Sequence, residues 1–293
     1  MLKKNKRCEI FNFSKKIGII GCGNLGKHLL ECVSKNILKD NITVSVKSLE
    51  NSKKLYYKYG IKVYRDNGKI GCSGNKNIAK SSDIIFLTVK PNEIFEICKN
   101  ISPEINNQNI IVSAAAGIPI SSLTKYLPNN IPIIRCMPNI AISEGKGVIT
   151  YTGNQNVTYK HQKILEKVTE GPANIWFENE DKIDMSTAIS GCGPAFIAEI
   201  MRNYIKAGEN IGFSRRESEM LFNLTFQGTF ELSKKYELSE IIENVASKGG
   251  ATERGLEEFK KMGISDCIFK TLNQSYKRVL DINKEFNWIL ASI

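Results

Sequence analysis

At 293 residues with 42% apolar side chains, the chain is long enough for about two domains with buried cores. No apolar run approaches the roughly 18 residues that span a bilayer. The start, Met1–Lys16, carries lysines without the apolar stretch of a signal peptide, so a cytoplasmic protein with no membrane partner is expected. The formal charge of +11 would suit a nucleic acid, but the lysines are dispersed among Asn and Ile with no helix-turn-helix, zinc-finger or RNA-binding pattern. That points to a solvated surface and no nucleic-acid partner.

In chain order, Lys16–Gly21 is a short apolar strand that runs into Gly21-Cys22-Gly23-Asn24-Leu25-Gly26, and Lys27–Lys35 continues as a helix. Ile42–Val46 is a second strand, and Ser52–Tyr59 is a helix stopped by Gly60. Ile61–Tyr64, Asp83–Val89, Ile110–Ala114 and Ile131–Arg135 are further β-branched runs, with the polar stretch Asp66–Asn77 a loop. This alternation predicts a parallel, doubly wound sheet of Rossmann type whose ligand sits at the carboxyl ends of the strands. Beyond Phe177 helical periodicity takes over, in Lys182–Ile211, Arg215–Tyr236, Ser239–Val245, Glu253–Met262 and Ser265–Phe286. Ser214, Ser239 and Ser265 stand at N-cap positions, and Glu217 completes a capping box with Ser214. The expected fold class is therefore α/β: a dinucleotide-binding domain over 1–177 and an all-helical domain over 178–293.

Gly21, Gly23 and Gly26 follow a strand and open a helix, as a dinucleotide fingerprint requires: a tight turn, close approach of backbone to pyrophosphate, and close helix packing. A plain strand-to-helix turn would use the same glycines. The second strand ends in Val46-Lys47-Ser48, without the acid that usually holds ribose hydroxyls, and Glu50 comes late. A cation and a hydroxyl suit a 2′-phosphate, so NADPH is favoured, with NADH open as a second cofactor. Otherwise Lys47 is one more surface lysine. In Ser190-Gly191-Cys192-Gly193-Pro194-Ala195-Phe196 the glycines weaken a helix and imply close backbone approach, to a ligand or to another helix at a dimer interface. Ser247-Lys248-Gly249-Gly250-Ala251-Thr252 is a glycine-rich turn running into a helix, which suits a carboxylate and equally a simple connector. The eight cysteines form no C-x-x-C pair and there are two histidines, so no metal site or disulfide framework is expected.

The order of these motifs, with Arg135-Cys136-Met137-Pro138-Asn139 between them, resembles the pyrroline-5-carboxylate reductase family from about Lys16 to Ile282. The resemblance implies a cofactor site made by Gly21, Gly23, Asn24, Leu25, Gly26, Lys47 and Ser48, with Asn75 against the adenosine half. Val89-Lys90-Pro91 and Ala115-Ala116-Gly117 would lie beside the cofactor, and Met137 and Asn139 near the nicotinamide. It also implies that Ser247, Gly250, Ala251 and Thr252 contact the substrate carboxylate. Thr252 would further approach the ring nitrogen as the catalytic residue. The implied assembly is a homodimer or larger homo-oligomer through the C-terminal helices, and the implied reaction is reduction of 1-pyrroline-5-carboxylate to L-proline by NADPH, the last step of proline biosynthesis. Two positions depart from the family pattern: Cys192 stands for serine and Lys248 for the commonest proline. Lys248 either weakens pre-organisation of the turn or adds a cation beside the carboxylate.

The chemistry agrees with the shortage of acid–base side chains. A cyclic imine is readily protonated, so its reduction is chiefly a matter of orientation over the nicotinamide. A 2-hydroxy-acid dehydrogenase needs a positioned histidine. The 3-hydroxyacid dehydrogenases of the same two-domain plan place a lysine soon after the glycines of the helical domain, and here none follows Gly193 before Lys206. A related NADPH-dependent imine or ketone reductase is kept open by Cys192 and Lys248, and a non-catalytic regulatory relative is disfavoured by the intact Ser247, Gly249, Gly250 and Thr252.

Overall fold

In the computed structural model, residues 14–66 and 72–291 are described, with side chains through 286. Most of the basic start and residues 67–71 of the expected loop lie outside the described residues. The strands are β1 (Ile17–Ile20), β2 (Ile42–Val46), β3 (Lys62–Arg65), β4 (Ile84–Leu87), β5 (Ile110–Ser113), β6 (Ile133–Pro138), β7 (Val148–Gly153) and β8 (Ala173–Trp176). They form one sheet in the order β3-β2-β1-β4-β5-β6-β7-β8. The first six are parallel, the arrangement of a dinucleotide-binding sheet whose strand order reverses between β1 and β4.

β1, β4, β5 and β6 are buried at every residue because both faces of the sheet are covered. Ile17, Ile19, Ile84, Phe86 and Val112 face one core, and Ile20, Ile85, Leu87, Ile111 and Ile133 the other, in the two-residue alternation of a strand. The helices of this half are α1 (Asn24–Val33), α2 (Leu49–Tyr59), α3 (Gly74–Ser81), α4 (Ile94–Ile101), the single turn α5 (Ile120–Leu123) and α6 (Tyr159–Val168). Leu29, Leu30 and Val33 of α1 enter the first core, and Ile78 and Ala79 of α3 the second.

The structure corrects the expected layout in several places. The sheet is not wholly parallel: β7 runs antiparallel to β6, because the link 139–147 is too short for a crossover helix. β7 and β8, paired in parallel across α6, went unread because Thr150 and Thr152 look polar although both are buried. The expected loop contains α3, whose buried face is Asn75, Ile78 and Ala79, too few apolar positions to show a period. Two N-caps move: Glu237 caps α10 (Leu238–Val245) reciprocally with Glu240, and α12 (Ile264–Ala291) begins before Ser265, which puts Ser239 and Ser265 inside first turns. The Ser214–Glu217 capping box and the stop at Gly60, where φ is +63°, are as expected.

α7 (Asp181–Ser186) does not continue regularly into α8 (Gly193–Asn210): Thr187–Gly191 form a π turn in which the Cys192 amide donates to the Thr187 carbonyl at 2.8 Å. Pro194 has no N–H for the Ser190 carbonyl, so the regular ladder cannot close there.

The chain forms two compact units. One extends to Cys192 and takes in the chain from Ser275; the other is Gly193–Gln274. The second unit holds α8, α9 (Arg215–Leu232), α10, α11 (Ala251–Lys261) and the first part of α12. Tyr204 of α8 meets Phe222 of α9 at 4.9 Å between ring centroids. Phe222 is the large apolar side chain buried in this unit, whereas Ile211, Leu224, Met262 and Phe269 are each more than 60% exposed. So much uncovered apolar surface marks a face made for association. Among the described residues no helix is long and apolar enough to cross a membrane.

Candidate functional site

The glycine turn is built as its spacing requires. Gly21 leaves β1 with φ +86°, and a Cβ there would strike Val89 and lie 3.1 Å from its backbone nitrogen. Gly26 lets α1 approach β4: a Cβ there would lie 2.7 Å from Thr88 Oγ1 and 3.0 Å from the Gly21 carbonyl oxygen. Thr88 locks the junction, its hydroxyl donating to the Gly21 carbonyl at 3.0 Å. At the start of α1, Gly23 is the N-cap, no side chain caps the helix and no acid stands in its first turn. The amides around Asn24 and Leu25 therefore keep their positive end for an anion.

Beside this turn lies a cleft of about 240 Å³ lined by Gly21, Lys47, Asn75 and Val89 of the expected residues, together with Ser45, Glu93, Glu96 and others. Its floor is a hydrogen-bond chain. The Gly21 amide donates to Ser45 Oγ at 3.3 Å, Ser45 Oγ donates to Asn75 Oδ1 at 2.6 Å, and the Asn75 amide donates to Asp66 Oδ2 at 2.9 Å. Asn75 thus reaches the cleft from the first turn of α3. Lys47, at the end of β2, is paired with Glu93 Oε1 at 2.6 Å. Ser48 is the N-cap of α2 and accepts the Asn51 amide at 3.2 Å. Lys90 and Pro91 follow Val89 into a 3₁₀ turn, Pro91–Glu93, that presents Glu93.

Farther along the same edge, Ala115 and Gly117 follow β5. Gly117, with φ +71°, faces Val279 and Ile282 of α12, and Phe286 of that helix stacks edge-on with Phe95 at 5.9 Å. Met137 ends β6 buried against Gly191, where a Cβ would lie 3.3 Å from Met137 Sδ. The Ser190-Gly191 backbone is thereby held on the strand expected to meet the nicotinamide. Asn139 Oδ1 is buried with no hydrogen-bond partner among the described residues. It faces Gly147, whose lack of a Cβ leaves it room. Burial pushes the thiols of Cys22 and Cys136 up to about 12, so both stay neutral beside these turns. Cys192 accepts the Ser275 hydroxyl at 3.3 Å, which fits a packing role.

The residue that sequence reading left without a role is Arg135. It is 1% exposed and bridges Glu180 Oε1 at 2.9 Å and Asp184 Oδ1 at 2.7 Å, while Glu180 also accepts the Ile120 amide at 2.8 Å. A second tie is the 2.7 Å contact of the Thr150 and Ser186 hydroxyls. Together they pin α7, and through it the π turn, to β6 and β7. A lone Arg inside an apolar strand, with acids 45 and 49 positions onward, was the only signal.

The expected carboxylate turn lies in the second unit, between α10 and α11. The Gly250 amide donates to the Ser247 carbonyl at 2.9 Å, Gly249 has φ +72°, and Ala251 and Thr252 open α11 behind the N-cap Gly250. No side chain caps this helix, but Glu253 Oε2 accepts the Gly249 amide at 2.6 Å. Ser247 is exposed and Thr252 partly buried. The structure thus brings the residues expected at the cofactor to the carboxyl ends of the strands and those expected at the carboxylate into one turn.

Comparison with known proteins finds matches in both halves of the chain. Residues 180–282 match the family described as "Pyrroline-5-carboxylate reductase dimerisation", and residues 16–117 match "NADP oxidoreductase coenzyme F420-dependent". The pyrroline-5-carboxylate reductase of Aquifex aeolicus is 28% identical, covering 90% of this chain and 96% of its own length, and that of Corynebacterium melassecola is 28% identical, covering 92% and 98%. The crystal structure of Plasmodium falciparum pyrroline carboxylate reductase with NADP bound superposes with a TM-score of 0.82 at 25% identity, covering 92% of this chain and 98% of that one. With the glycine cradle, the strand-end turns and the helical half in the same order, the chain is similar to pyrroline-5-carboxylate reductases over about nine-tenths of its length.

Proposed function

We propose that this protein reduces 1-pyrroline-5-carboxylate to L-proline with NADPH, working as a homodimer or larger homo-oligomer. The observation that carries this function is the presence in one chain of an uncapped helix N-terminus behind a glycine cradle and an intact Ser247–Thr252 turn, in a chain that matches pyrroline-5-carboxylate reductases over 90% of its length. Residues 1–177 bind the dinucleotide, and 178–293 provide dimerisation and the substrate carboxylate site. The exposed apolar helices of the second unit are the surface a second copy covers. Cys22, Cys32, Cys98, Cys136, Cys192 and Cys267 are free thiols, which suits a reducing cytoplasm.

A bound reduced nicotinamide supplies the hydride. The amides of Gly23 to Gly26 hold its pyrophosphate, and Lys47 and Ser48 take the 2′-phosphate. Asn139 orients the carboxamide, and Met137, backed by Gly191, forms an apolar wall that excludes water from the ring. The amides of Gly250, Ala251 and Thr252 and the Ser247 hydroxyl hold the substrate carboxylate. The Thr252 hydroxyl hydrogen-bonds the ring nitrogen and so fixes which face of the imine is presented.

The direct test is oxidation of NADPH with 1-pyrroline-5-carboxylate beside a panel of 2-keto and 3-hydroxy acids. Turnover confined to the pyrroline is expected, and faster turnover of another substrate overturns the assignment. Thr252→Ala is expected to lower kcat/KM for the pyrroline by about tenfold, the value of one hydrogen bond to a charged group, with the Kd for NADPH unchanged. A weakened Kd instead would move Thr252 into the cofactor half of the site.

A further inference from the structure

The chain carries a formal charge of +11, yet among the described residues lining the cleft Lys47 stands against three carboxylates, Asp66, Glu93 and Glu96. Lys47 is also not free to meet an anion, since its ammonium is 2.6 Å from Glu93 Oε1. Glu93 is the more fixed partner: its side chain is 26% exposed against 64% for Lys47, and it is carried on the 3₁₀ turn behind Pro91. The backbone under Lys47 is held too, its carbonyl accepting Arg65 Nε at 3.4 Å.

We infer that Glu93 is a specificity-determining residue of the cofactor site, supplying from the turn after β4 the ribose-binding carboxylate that the end of β2 lacks. This rests on the assignment of the cleft to the adenosine end of the cofactor. A 2′-phosphate brings up to two negative charges to an ammonium already paired, so it must share Lys47 with Glu93 or displace it, and in either case it sits beside the Glu93 carboxylate. A 2′-hydroxyl asks for neither: it donates to Glu93 while the pair stays intact, as ribose hydroxyls do to the acid that usually ends β2. Glu93 therefore penalises NADPH, favours NADH and draws the two affinities together, against the NADPH preference that Lys47 alone would give.

The test is calorimetric binding of NADPH and NADH, and of 2′,5′-ADP and 5′-AMP, which differ only in the 2′-phosphate, to the full-length protein. Glu93→Gln is expected to tighten NADPH and 2′,5′-ADP by about fivefold and to weaken NADH and 5′-AMP by about twofold, the scale of a partly exposed ion pair. Glu96→Gln removes the same charge from the same cleft without touching the pair, and is expected to shift the ratio by less than about twofold. An unchanged ratio in Glu93→Gln, or an equal shift in both variants, overturns the role of Glu93 while leaving the cofactor site standing. Failure of all four ligands to bind the unaltered protein overturns the cofactor assignment and this inference together.

Discussion

Arg135→Ala is expected to destabilise the first unit by about 3–5 kcal/mol, because it leaves two acids facing a hole where their cation was. The guanidinium is 1% exposed and Asp184 6%, so water cannot take its place without repacking β6 against α7. Urea unfolding should show the loss as a lower midpoint with little change in slope. The neutral combination Arg135→Met, Glu180→Gln and Asp184→Asn is expected to recover most of it, since the loss comes from the stranded charges more than from the bridge itself. A midpoint for Arg135→Ala within experimental error of the parent would show that the triad is solvated in practice. The functional consequence follows from what the triad holds. α7 leads into the π turn, and Gly191 of that turn backs Met137, so surviving Arg135→Ala protein should lose kcat through a displaced apolar wall.

Gly21→Ala is the second large effect. The residue combines φ +86° with a Cβ position 3.1 Å from the Val89 nitrogen, a backbone atom just beyond β4 that cannot swing away as a side chain would. Backbone strain and overpacking together amount to about 3 kcal/mol, on the order of 10 °C in thermal midpoint for a unit of this size. Gly23→Ala separates folding from binding: its Cβ would meet only the Gly21 carbonyl oxygen at an ordinary 3.8 Å, so stability should move by less than about 0.5 kcal/mol. Its methyl group nevertheless stands at the helix N-terminus where the pyrophosphate approaches, and the Kd for NADPH should rise by about tenfold. If Gly23→Ala binds NADPH as tightly as the parent, the pyrophosphate does not pass over this turn.

These two residues also mark the limit of what was legible from the chain. The first six strands, the fingerprint turn and the all-helical second half follow from local pattern. Runs such as Ile17–Ile20 and Ile84–Leu87 are apolar on both faces, and a glycine turn between strand and helix has few other uses. Gly60 and the Ser214–Glu217 box ended and began helices where their chemistry dictates. Resemblance added the order of the motifs, and with it the pyrroline chemistry that glycine spacing alone does not carry.

What needed the tertiary structure was every feature made by residues distant in sequence. The antiparallel step at β7 depends on a short link and on the hydroxyls of Thr150 and Thr152 being tolerated in a buried strand, and neither alters the local apolar pattern. Helix α3 has only Ile78 and Ala79 to announce it and takes its stability from the second core and from Asp66 on its first turn. Arg135 reads as an oddity until Glu180 and Asp184 are brought to it, and nothing in the sequence around Lys47 announces Glu93 on its ammonium. Local sequence determined the first six strands, the helical second half, the glycine cradle and the class of ligand, because those depend on backbone preference and on period. The pairing of charges was decided only in the folded chain, because an ion pair depends on distance in space, to which sequence separation gives no guide.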